Sequence, residues 1–218
     1  MIAFSGLDGA GKSTQIDLLQ EFLKNKNIKS IVFWSRGGYT PGIEFFKGLM
    51  RKFKSKKIPT HRGNSQERDH SFSNPLVRKT WLVLALLDLI FFYGFYIRFK
   101  EIFGTKIMCD RYIYDTLIDF KLNFPQENVE NWWIWKFLLF IAVKPKKYFV
   151  LTIPVIESQK RSILKNEPFP DSQETLANRL ENYLTFANNN KDVVNIDAVK
   201  SINEIHNQII NEIKLIVR

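Results

Sequence analysis

Short apolar runs alternate with longer amphipathic stretches along this chain of 218 residues. Several of the short runs are rich in valine and isoleucine, which is typical of strands buried in a sheet. In the longer stretches, apolar residues recur at intervals of three and four, as in helices that pack by one face. Strands and helices in this alternation predict an α/β fold with a parallel sheet. The predicted strands are residues 2–4, 31–34, 106–109, 148–152 and 193–196.

Several polar residues mark where the predicted helices begin. Asn74 precedes a proline, and this pair is typical of an N-cap followed by the first residue of a helix. Asp171 with Glu174, and Ser201 with Glu204, have the spacing of a capping box. Two apolar stripes predict helices that bury one face: Ile16, Leu19, Phe22 and Leu23 within residues 12–26, and Ile202, Ile205, Ile209, Ile213 and Ile216 near the end of the sequence.

The composition excludes several classes of protein. Hydrophobic residues make up 45% and charged residues 25% of the chain, which excludes a disordered or collagen-like protein. A single cysteine, Cys109, excludes a disulfide framework and a cysteine-based zinc site. The first residues lack the basic region of a secretory signal, so we expect a cytoplasmic protein. The formal charge of +10 predicts a negatively charged partner such as phosphates, nucleic acid or an anionic membrane.

Basic residues are concentrated in residues 51–73, which contain seven lysines and arginines but only two acidic residues. Glycine, proline, serine and asparagine in the same stretch predict an exposed loop or insertion. Three interpretations stay open: a solvated surface, a segment that closes over a phosphorylated ligand, and a contact with nucleic acid.

A glycine-rich motif follows the first predicted strand and opens the first predicted helix. It fits the pattern G-x-x-x-x-G-K-[ST] and reads Gly6-Leu7-Asp8-Gly9-Ala10-Gly11-Lys12-Ser13-Thr14. In such a P-loop, glycines let backbone N–H groups converge on phosphate oxygens, and the helix N-terminus adds a favourable dipole. Lys12 would neutralise the β- and γ-phosphates, and the Ser13 hydroxyl would bind Mg²⁺. The motif therefore predicts a site for ATP and Mg²⁺.

A second acidic group is expected near that metal, at the end of a neighbouring strand. Asp110 directly follows the predicted strand 106–109 and is followed by Arg111 and Tyr112. An arginine beside the metal carboxylate suits a second phosphate group, that of an acceptor. The sequence therefore predicts Asp110 as a metal-site residue and Arg111 as an acceptor-site residue.

Residues 81–97 form a long apolar run with one charge, Asp88, and approach the length of a membrane span. The P-loop precedes this run and Asp110 follows it, so a single span would place the two motifs on opposite sides of a bilayer. Because they are expected to form one site, we predict a buried core helix, with amphipathic attachment to a membrane surface as the alternative.

With these motifs the sequence resembles the thymidylate kinase family of nucleoside monophosphate kinases. Four features carry the resemblance: the P-loop with its acidic Asp8, the segment Arg36-Gly37-Gly38-Tyr39-Thr40-Pro41-Gly42, the block Cys109-Asp110-Arg111-Tyr112, and the spacing from Asp88 through Arg98 and Gly104 to Asp110. The similarity covers nearly the whole chain except residues 51–73. It implies one P-loop kinase domain over residues 1–218, with a five-stranded parallel sheet, helices on both faces and a lid near residues 157–171.

The resemblance also implies roles for individual residues. The P-loop from Gly6 to Thr14 would hold ATP, with Ser13 and, through water, Asp110 at the Mg²⁺ ion. Asp8 would face the acceptor sugar. The other acceptor-binding residues would be Arg36, Arg111, Tyr112 and Asp115. Some family members place an arginine inside the P-loop; here Gly9 and Ala10 occupy that stretch, so the catalytic arginine is expected in the lid as Arg161, assisted by Lys165.

The reaction implied is Mg²⁺-dependent transfer of the γ-phosphoryl group of ATP to a nucleoside monophosphate, with dTMP as the leading acceptor, in a homodimer. The aromatic residues Trp132, Trp133, Trp135, Phe137 and Phe140 follow one helical pattern, which predicts a core or dimer-interface helix.

Three departures from the family pattern concern recognition of the base. Leu89 stands where the family usually has an arginine, Asp119-Phe120 replace a Tyr-Gln pair, and Asp115 replaces a serine. A site that loses polar partners of a base changes its preferred substrate. The alternatives are a kinase with a different or non-nucleotide acceptor, an ATP-binding regulator without turnover, and a nucleic-acid or membrane binder that uses residues 51–73.

Overall fold

The computed structural model describes residues 1–35, 72–165 and 171–214. Its strands are β1 (Ile2–Gly6), β2 (Ser30–Trp34), β3 (Lys106–Asp110), β4 (Lys147–Thr152) and β5 (Val193–Asp197). They form one parallel sheet in the order β2-β3-β1-β4-β5. The prediction of a five-stranded parallel sheet is confirmed, and each observed strand extends the predicted one by one or two residues.

Helices flank the sheet and connect its strands. In chain order they are α1 (Lys12–Asn25), α2 (Pro75–Leu89), a π-helix (Ile90–Tyr96), α3 (Ile97–Ile102), α4 (Ile113–Asn123), two short 3-10 helices (Pro125–Glu127 and Val129–Asn131), α5 (Trp133–Ile141), α6 (Val155–Leu164), α7 (Gln173–Asn189) and α8 (Ile202–Ile213). The basic segment predicted at residues 51–73 lies outside the described residues, apart from its last two.

The caps of two helices are those that the sequence predicts. The Asn74 side chain accepts a hydrogen bond from the Leu76 N–H at 2.9 Å and caps α2. Ser201 and Glu204 form the capping box of α8. The prediction for Asp171 and Glu174 is wrong: α7 begins one residue later, with Ser172 as its N-cap. Asp171 instead binds the Arg179 side chain, because an arginine two turns into α7 offers its carboxylate a charged partner.

The central strands are buried on both faces, as expected for a parallel sheet covered by helices. All five residues of β1 are buried, whereas the edge strands β2 and β5 are largely half-buried or exposed. Phe4 of β1 lies beside Asp110 of β3, and Gly6 lies beside Leu151 of β4. A Cβ on Gly6 would lie 2.2 Å from the Leu151 carbonyl oxygen, so only glycine fits there. The carboxyl ends of β1 and β3 therefore meet at one edge, where parallel sheets bind ligands.

The apolar run 81–97 lies within a continuous helix made of α2, the π-helix and α3. One face packs in the core through Leu82, Ala85, Leu86, Leu89, Ile90, Tyr93 and Ile97. The opposite face is exposed, with Leu84, Leu87, Phe91, Phe95 and Phe99 at 43–57% exposure. The prediction of a buried core helix is therefore confirmed for one face only. A helix that packs against a sheet buries the side that contacts it, and its other side stays exposed.

Within the described part of the chain, the helix Pro75–Ile102 is the one element long and apolar enough to cross a membrane. Length and composition are weak support for a span, because the core helix of a soluble protein has the same properties. Its most apolar stretch is 44% buried inside the protein.

For two further apolar patterns, the structure shows which residues are buried and which are exposed. In α8, Ile205, Ile209 and Ile213 are buried while Ile202 is exposed, and Ile216 lies outside the described residues. In α5, Trp135 packs in the core, whereas the predicted core or interface residues Trp133, Phe137 and Phe140 are exposed on the other face.

Candidate active site

The glycines of the P-loop lie in the loop between β1 and α1, directly before the first turn of this 14-residue helix. Gly9 has φ +76, a conformation that side chains with a Cβ rarely adopt. A Cβ on Gly9 would also lie 2.9 Å from the Arg161 Cβ and 3.2 Å from the Ser158 carbonyl oxygen of α6. The motif glycine therefore serves both the turn of the loop and the close approach of α6.

Lys12 is buried at the first residue of α1. Its Nζ donates hydrogen bonds to the carbonyl oxygens of Gly6 at 3.0 Å and Leu7 at 2.8 Å. Burial, and then the nearby charge of Arg111, lowers the pKa of Lys12 to about 8. A bound phosphate would supply the negative charge that favours the protonated amine.

Ser13 and Asp110 meet across the two strand ends, as the sequence predicts for a metal site. The Ser13 hydroxyl donates to Asp110 Oδ2 at 3.4 Å. The other oxygen of this carboxylate, Oδ1, is buried and has no hydrogen-bond partner among the described residues. A hydroxyl beside an available carboxylate oxygen suits Mg²⁺, which prefers oxygen ligands.

No group of three His, Cys, Asp or Glu side chains that would hold a metal occurs in the described ranges. An Mg²⁺ ion at Ser13 and Asp110 would therefore complete its coordination with water and phosphate oxygens, which is how Mg²⁺ is usually held at nucleotide sites.

Arg111 follows β3 and is buried between two carboxylates. Its Nη2 pairs with Asp8 of the P-loop. Its Nη1 donates to Asp115 at 3.3 Å and to the Tyr183 hydroxyl at 3.2 Å. The structure therefore brings the predicted residues Asp8, Arg111 and Asp115 into one network beside the P-loop.

Tyr112 directs its hydroxyl away from this network. The hydroxyl donates to the Val143 carbonyl oxygen at 2.6 Å, and its ring contacts that of Tyr93. Asp115 is fully buried, and its carboxylate accepts from the Tyr112 backbone N–H at 3.0 Å. These two predicted acceptor residues are therefore held by the protein itself.

The helix α6 lies against the P-loop. The Ser158 hydroxyl donates to the Asp8 carbonyl oxygen at 2.7 Å. Arg161 Nη1 reaches the carbonyl oxygen of Gly9 at 3.2 Å, while its Nε pairs with Glu157 at 2.8 Å. Arg161 is thus next to the P-loop, and Lys165 is exposed one turn further on.

Part of the predicted site lies outside the described residues. This applies to Arg36, to the segment 36–42 and to lid residues 166–170. Their neighbour Ser35 directly follows β2 and lies beside the site, because its N–H donates to the Asp110 carbonyl oxygen at 3.3 Å. The Ser35 hydroxyl is hydrogen-bonded to the Tyr93 hydroxyl of the π-helix.

No model of a protein family matches the chain, but several known proteins are similar to it over nearly its whole length. A thymidylate kinase of Plasmodium falciparum is 29% identical over 214 residues, covering 97% of this chain and 88% of the relative. A probable thymidylate kinase of Methanocaldococcus jannaschii is 25% identical over 213 residues, covering 98% and 95%. One of Thermococcus kodakarensis is 28% identical over 211 residues, covering 96% and 94%. The chain is therefore similar over nearly its whole length to proteins named thymidylate kinase or probable thymidylate kinase.

The three departures from the family pattern, at Leu89, Asp119-Phe120 and Asp115, all lie in packed surroundings. Leu89 is fully buried in the core. Phe120 is buried in an aromatic cluster with Trp81 and Trp135. Asp119 pairs with Arg179 of α7 at 2.6 Å. The positions that the resemblance associates with base recognition thus make core contacts and an internal ion pair in this chain.

Sequence reasoning missed several polar residues that build this kinase site, among them Ser5, Tyr148, Ser158, Arg179 and Tyr183. Arg179 and Tyr183 are four residues apart, so they share the buried face of α7. The signal that would have identified these two residues is a pair of polar side chains on the otherwise apolar face of a helix.

Proposed function

We propose that this protein transfers the γ-phosphoryl group of ATP to dTMP, forming ADP and dTDP in the presence of Mg²⁺. The observation that carries the proposal is the meeting of two motifs at one sheet edge: Ser13 of the P-loop lies 3.4 Å from Asp110, and Arg111 pairs with Asp8. Such a site has a donor-phosphate half and an acceptor half side by side. Near-full-length similarity to proteins named thymidylate kinase supports dTMP as the acceptor.

On the donor side, the P-loop backbone and Lys12 would bind the phosphates of ATP. Ser13 and Asp110 would hold Mg²⁺, which when bound neutralises charge on the β- and γ-phosphates. Lys12 is already held at the loop by two carbonyl oxygens, so little further ordering is needed.

On the acceptor side, Arg111 and Arg36 would hold the phosphate of dTMP, and Asp8 would face its sugar. An oxygen of the acceptor phosphate forms a bond to the γ-phosphorus while the bond from that phosphorus to the bridging oxygen breaks, and ADP leaves. A phosphate oxygen is already ionised, so this step needs no protein base. Catalysis then consists of positioning and charge stabilisation.

We further propose a single kinase domain over residues 1–218 with a lid near residues 157–171. Arg161, assisted by Lys165, would stabilise charge on the transferring phosphoryl group. The contact of Arg161 with the Gly9 carbonyl oxygen supports this role, because it places a cation beside the donor phosphates.

The test is ADP release from ATP and Mg²⁺ against a panel of nucleoside monophosphates. We expect turnover with dTMP, loss of turnover in Lys12→Ala, and unchanged turnover in the control Lys24→Ala, an exposed lysine at the end of α1. Bound ATP without ADP release for every monophosphate would contradict the proposal and favour a regulator without turnover.

A second candidate is the same reaction on a different phosphorylated acceptor. Buried Leu89 and Phe120 and the ion pair of Asp119 with Arg179 favour it, because these side chains have their contacts inside the protein. Turnover with another monophosphate, or with a non-nucleotide phosphate but not with dTMP, would support this candidate over the first.

We also propose a homodimer that acts in the cytoplasm. The exposed apolar face of the helix Pro75–Ile102 supports association, because a contiguous apolar patch is typical of an interface. A buried, unbridged Cys109 is compatible with a reducing compartment. The alternative binder of nucleic acid or membrane through residues 51–73 predicts a steep salt dependence that deletion of this segment would abolish.

A further inference from the structure

Asp115 is at the centre of a buried hydrogen-bond network beside the proposed acceptor site. Asp115 is 0% exposed, and its carboxylate accepts hydrogen bonds from groups on two strands, the turn after β3 and α7. The donors are the Ser5 hydroxyl, the Tyr112 N–H at 3.0 Å, the Tyr183 hydroxyl at 2.7 Å, the Tyr148 hydroxyl at 3.3 Å and Arg111 Nη1 at 3.3 Å. This number of donors compensates a buried carboxylate for the water that it has lost.

The hydroxyls of Tyr183 and Tyr148 are hydrogen-bond donors in this network. Burial, and then the charge of Asp115, raises the pKa of Tyr183 and of Tyr148 well above the ordinary value. Both hydroxyls therefore keep their protons at any physiological pH. In this network the hydroxyl and N–H groups donate hydrogen bonds, and the Asp115 carboxylate accepts them.

Arg111 is the one member of the network that also reaches the P-loop. Asp115 and Tyr183 hold its Nη1, while Asp8 holds its Nη2. Because each Nη has its own partner, rotation of the guanidinium would break hydrogen bonds on both sides. Its Nε–H donates to no acceptor in the ranges that the structure describes, which leaves this edge for a phosphate oxygen.

We propose that Asp115 is a positioning residue of the phosphoryl-transfer site and that it acts through Arg111, together with Tyr183. It fixes the guanidinium before the acceptor binds, so less conformational freedom is lost on binding. A serine, the residue of the family pattern at this position, has no charge to pair with Arg111. The inference rests on the proposed function, because the role of Arg111 toward the acceptor phosphate belongs to that proposal.

The first experiment follows Arg111 itself and needs no turnover. Side-chain NMR of the arginine guanidinium groups, with Arg111 assigned through Arg111→Lys, reports whether the two Nη groups exchange by rotation. We expect separate Nη signals in the wild-type protein and averaged signals in Asp115→Asn and Tyr183→Phe. Separate signals that persist in both variants would overturn the inference.

The second experiment separates positioning from folding by steady-state kinetics with ATP and dTMP. Asp115→Asn should raise the KM for dTMP by about tenfold or more, the size expected for a lost hydrogen bond to a charged group, and leave the KM for ATP within about twofold. The matched control Tyr114→Phe removes a hydroxyl of α4 that donates to the Asn182 carbonyl oxygen at 3.0 Å rather than to Asp115 or Arg111, and should retain the wild-type KM. A lowered melting temperature with both KM values unchanged would mean a merely structural role and would overturn the inference.

The third experiment is a double-mutant cycle. If Asp115 acts through Arg111, Asp115→Asn should raise the KM for dTMP no further in an Arg111→Lys background. Additive effects would overturn the inference. If Asp115→Asn does not fold, Tyr183→Phe takes its place in both experiments. A wild-type protein that does not turn over dTMP would overturn the proposed acceptor, and the NMR comparison would then decide the inference alone.

Discussion

At the residue scale, left-handed backbone at Gly9 and Arg111 shapes the two loops that meet at the ends of β1 and β3. Gly9 has φ +76 and Arg111 has φ +74. Glycine adopts this conformation freely, whereas an arginine there costs about 1–2 kcal/mol. The Arg111 N–H donates to the Phe4 carbonyl oxygen at 2.8 Å, which helps to offset that cost. A strained residue held in this way is typical of a site where geometry matters for function.

Gly9→Ala should destabilise the protein and weaken ATP binding. The new Cβ would be strained by the positive φ and would lie 2.9 Å from the Arg161 Cβ. We expect a loss of about 2–4 kcal/mol in the free energy of unfolding, from left-handed strain plus overpacking. Urea denaturation measures it.

The control is Gly104→Ala, which has φ +73 but no atom within 4 Å of its Cβ. This variant should lose only the strain, about 1–2 kcal/mol. Equal losses in the two variants would show that the contact with α6 contributes nothing.

The affinity for ATP should depend on pH through Lys12. Its pKa in the free protein is lowered to about 8, and bound phosphate favours the protonated amine. ATP binding above pH 8 must therefore take up a proton, and affinity should fall by up to about tenfold per pH unit there. Titration with ATP from pH 6.5 to 9.5, by calorimetry in two buffers of different ionisation enthalpy, measures both effects.

Lys12→Arg provides the comparison for this pH profile, because arginine keeps its charge throughout the range. A wild-type affinity that is constant from pH 7 to 9.5, with no proton uptake, would contradict the expectation.

At the scale of elements, α6, which begins the proposed lid, lies against the P-loop. Ser158 and Arg161 are separated by three residues, so they share one face of the helix, and both contact P-loop carbonyl oxygens. The close approach depends on Gly9, which has no side chain to keep α6 away. We therefore expect closure of the proposed lid to depend on the shape of the loop that would bind phosphate.

Arg161→Ala should lower kcat by about 10³-fold or more, the effect of removing a cation that stabilises a transferring phosphoryl group. The KM for ATP should change much less, because the charge to be stabilised develops in the transition state. The neighbouring exposed lysine provides the control Lys160→Ala, which should retain the wild-type kcat. Equal kcat values for the two variants would remove Arg161 from the proposed mechanism.

At the scale of the whole molecule, the helix Pro75–Ile102 has a large exposed apolar surface that the described residues do not cover. Phe91 and Phe95 are 56% and 55% exposed on it, and Phe140 of α5 is 85% exposed. Gly94, on the other side of the helix, allows Ile141 of α5 to approach: a Cβ there would lie 3.1 Å from two of its carbon atoms. The two helices therefore pack closely while their outer faces stay open, as expected for an interface.

The double variant Phe91→Glu, Phe95→Glu should convert a dimer into a monomer, because two buried charges without partners oppose association. Light scattering after size exclusion measures the mass. Ile202→Glu, which changes an exposed residue of α8, should leave the dimer intact. A monomeric wild-type protein that floats with anionic vesicles would contradict the dimer and favour membrane attachment.

Much of this fold and part of its site were predictable because their signals are local. The strands follow from apolar runs, and the caps at Asn74 and Ser201 follow from residues next to the helices that they begin. Asp171 shows the limit of such signals: its carboxylate binds Arg179, and the cap of α7 passes to Ser172. The ion pair with Arg179, eight residues further along the chain, outweighed the capping pattern at Asp171.

The sequence by itself determined the alternation of elements, the P-loop and the acidic residue at the end of a neighbouring strand, since periodicity and motif spacing are properties of short segments. Only the tertiary structure decided which residues surround Asp115 and which face of the long helix stays exposed. Ser5 and Tyr183 are 110 and 68 residues away from Asp115 in the chain. Contacts at such separations arise from packing in three dimensions, and no local pattern encodes them.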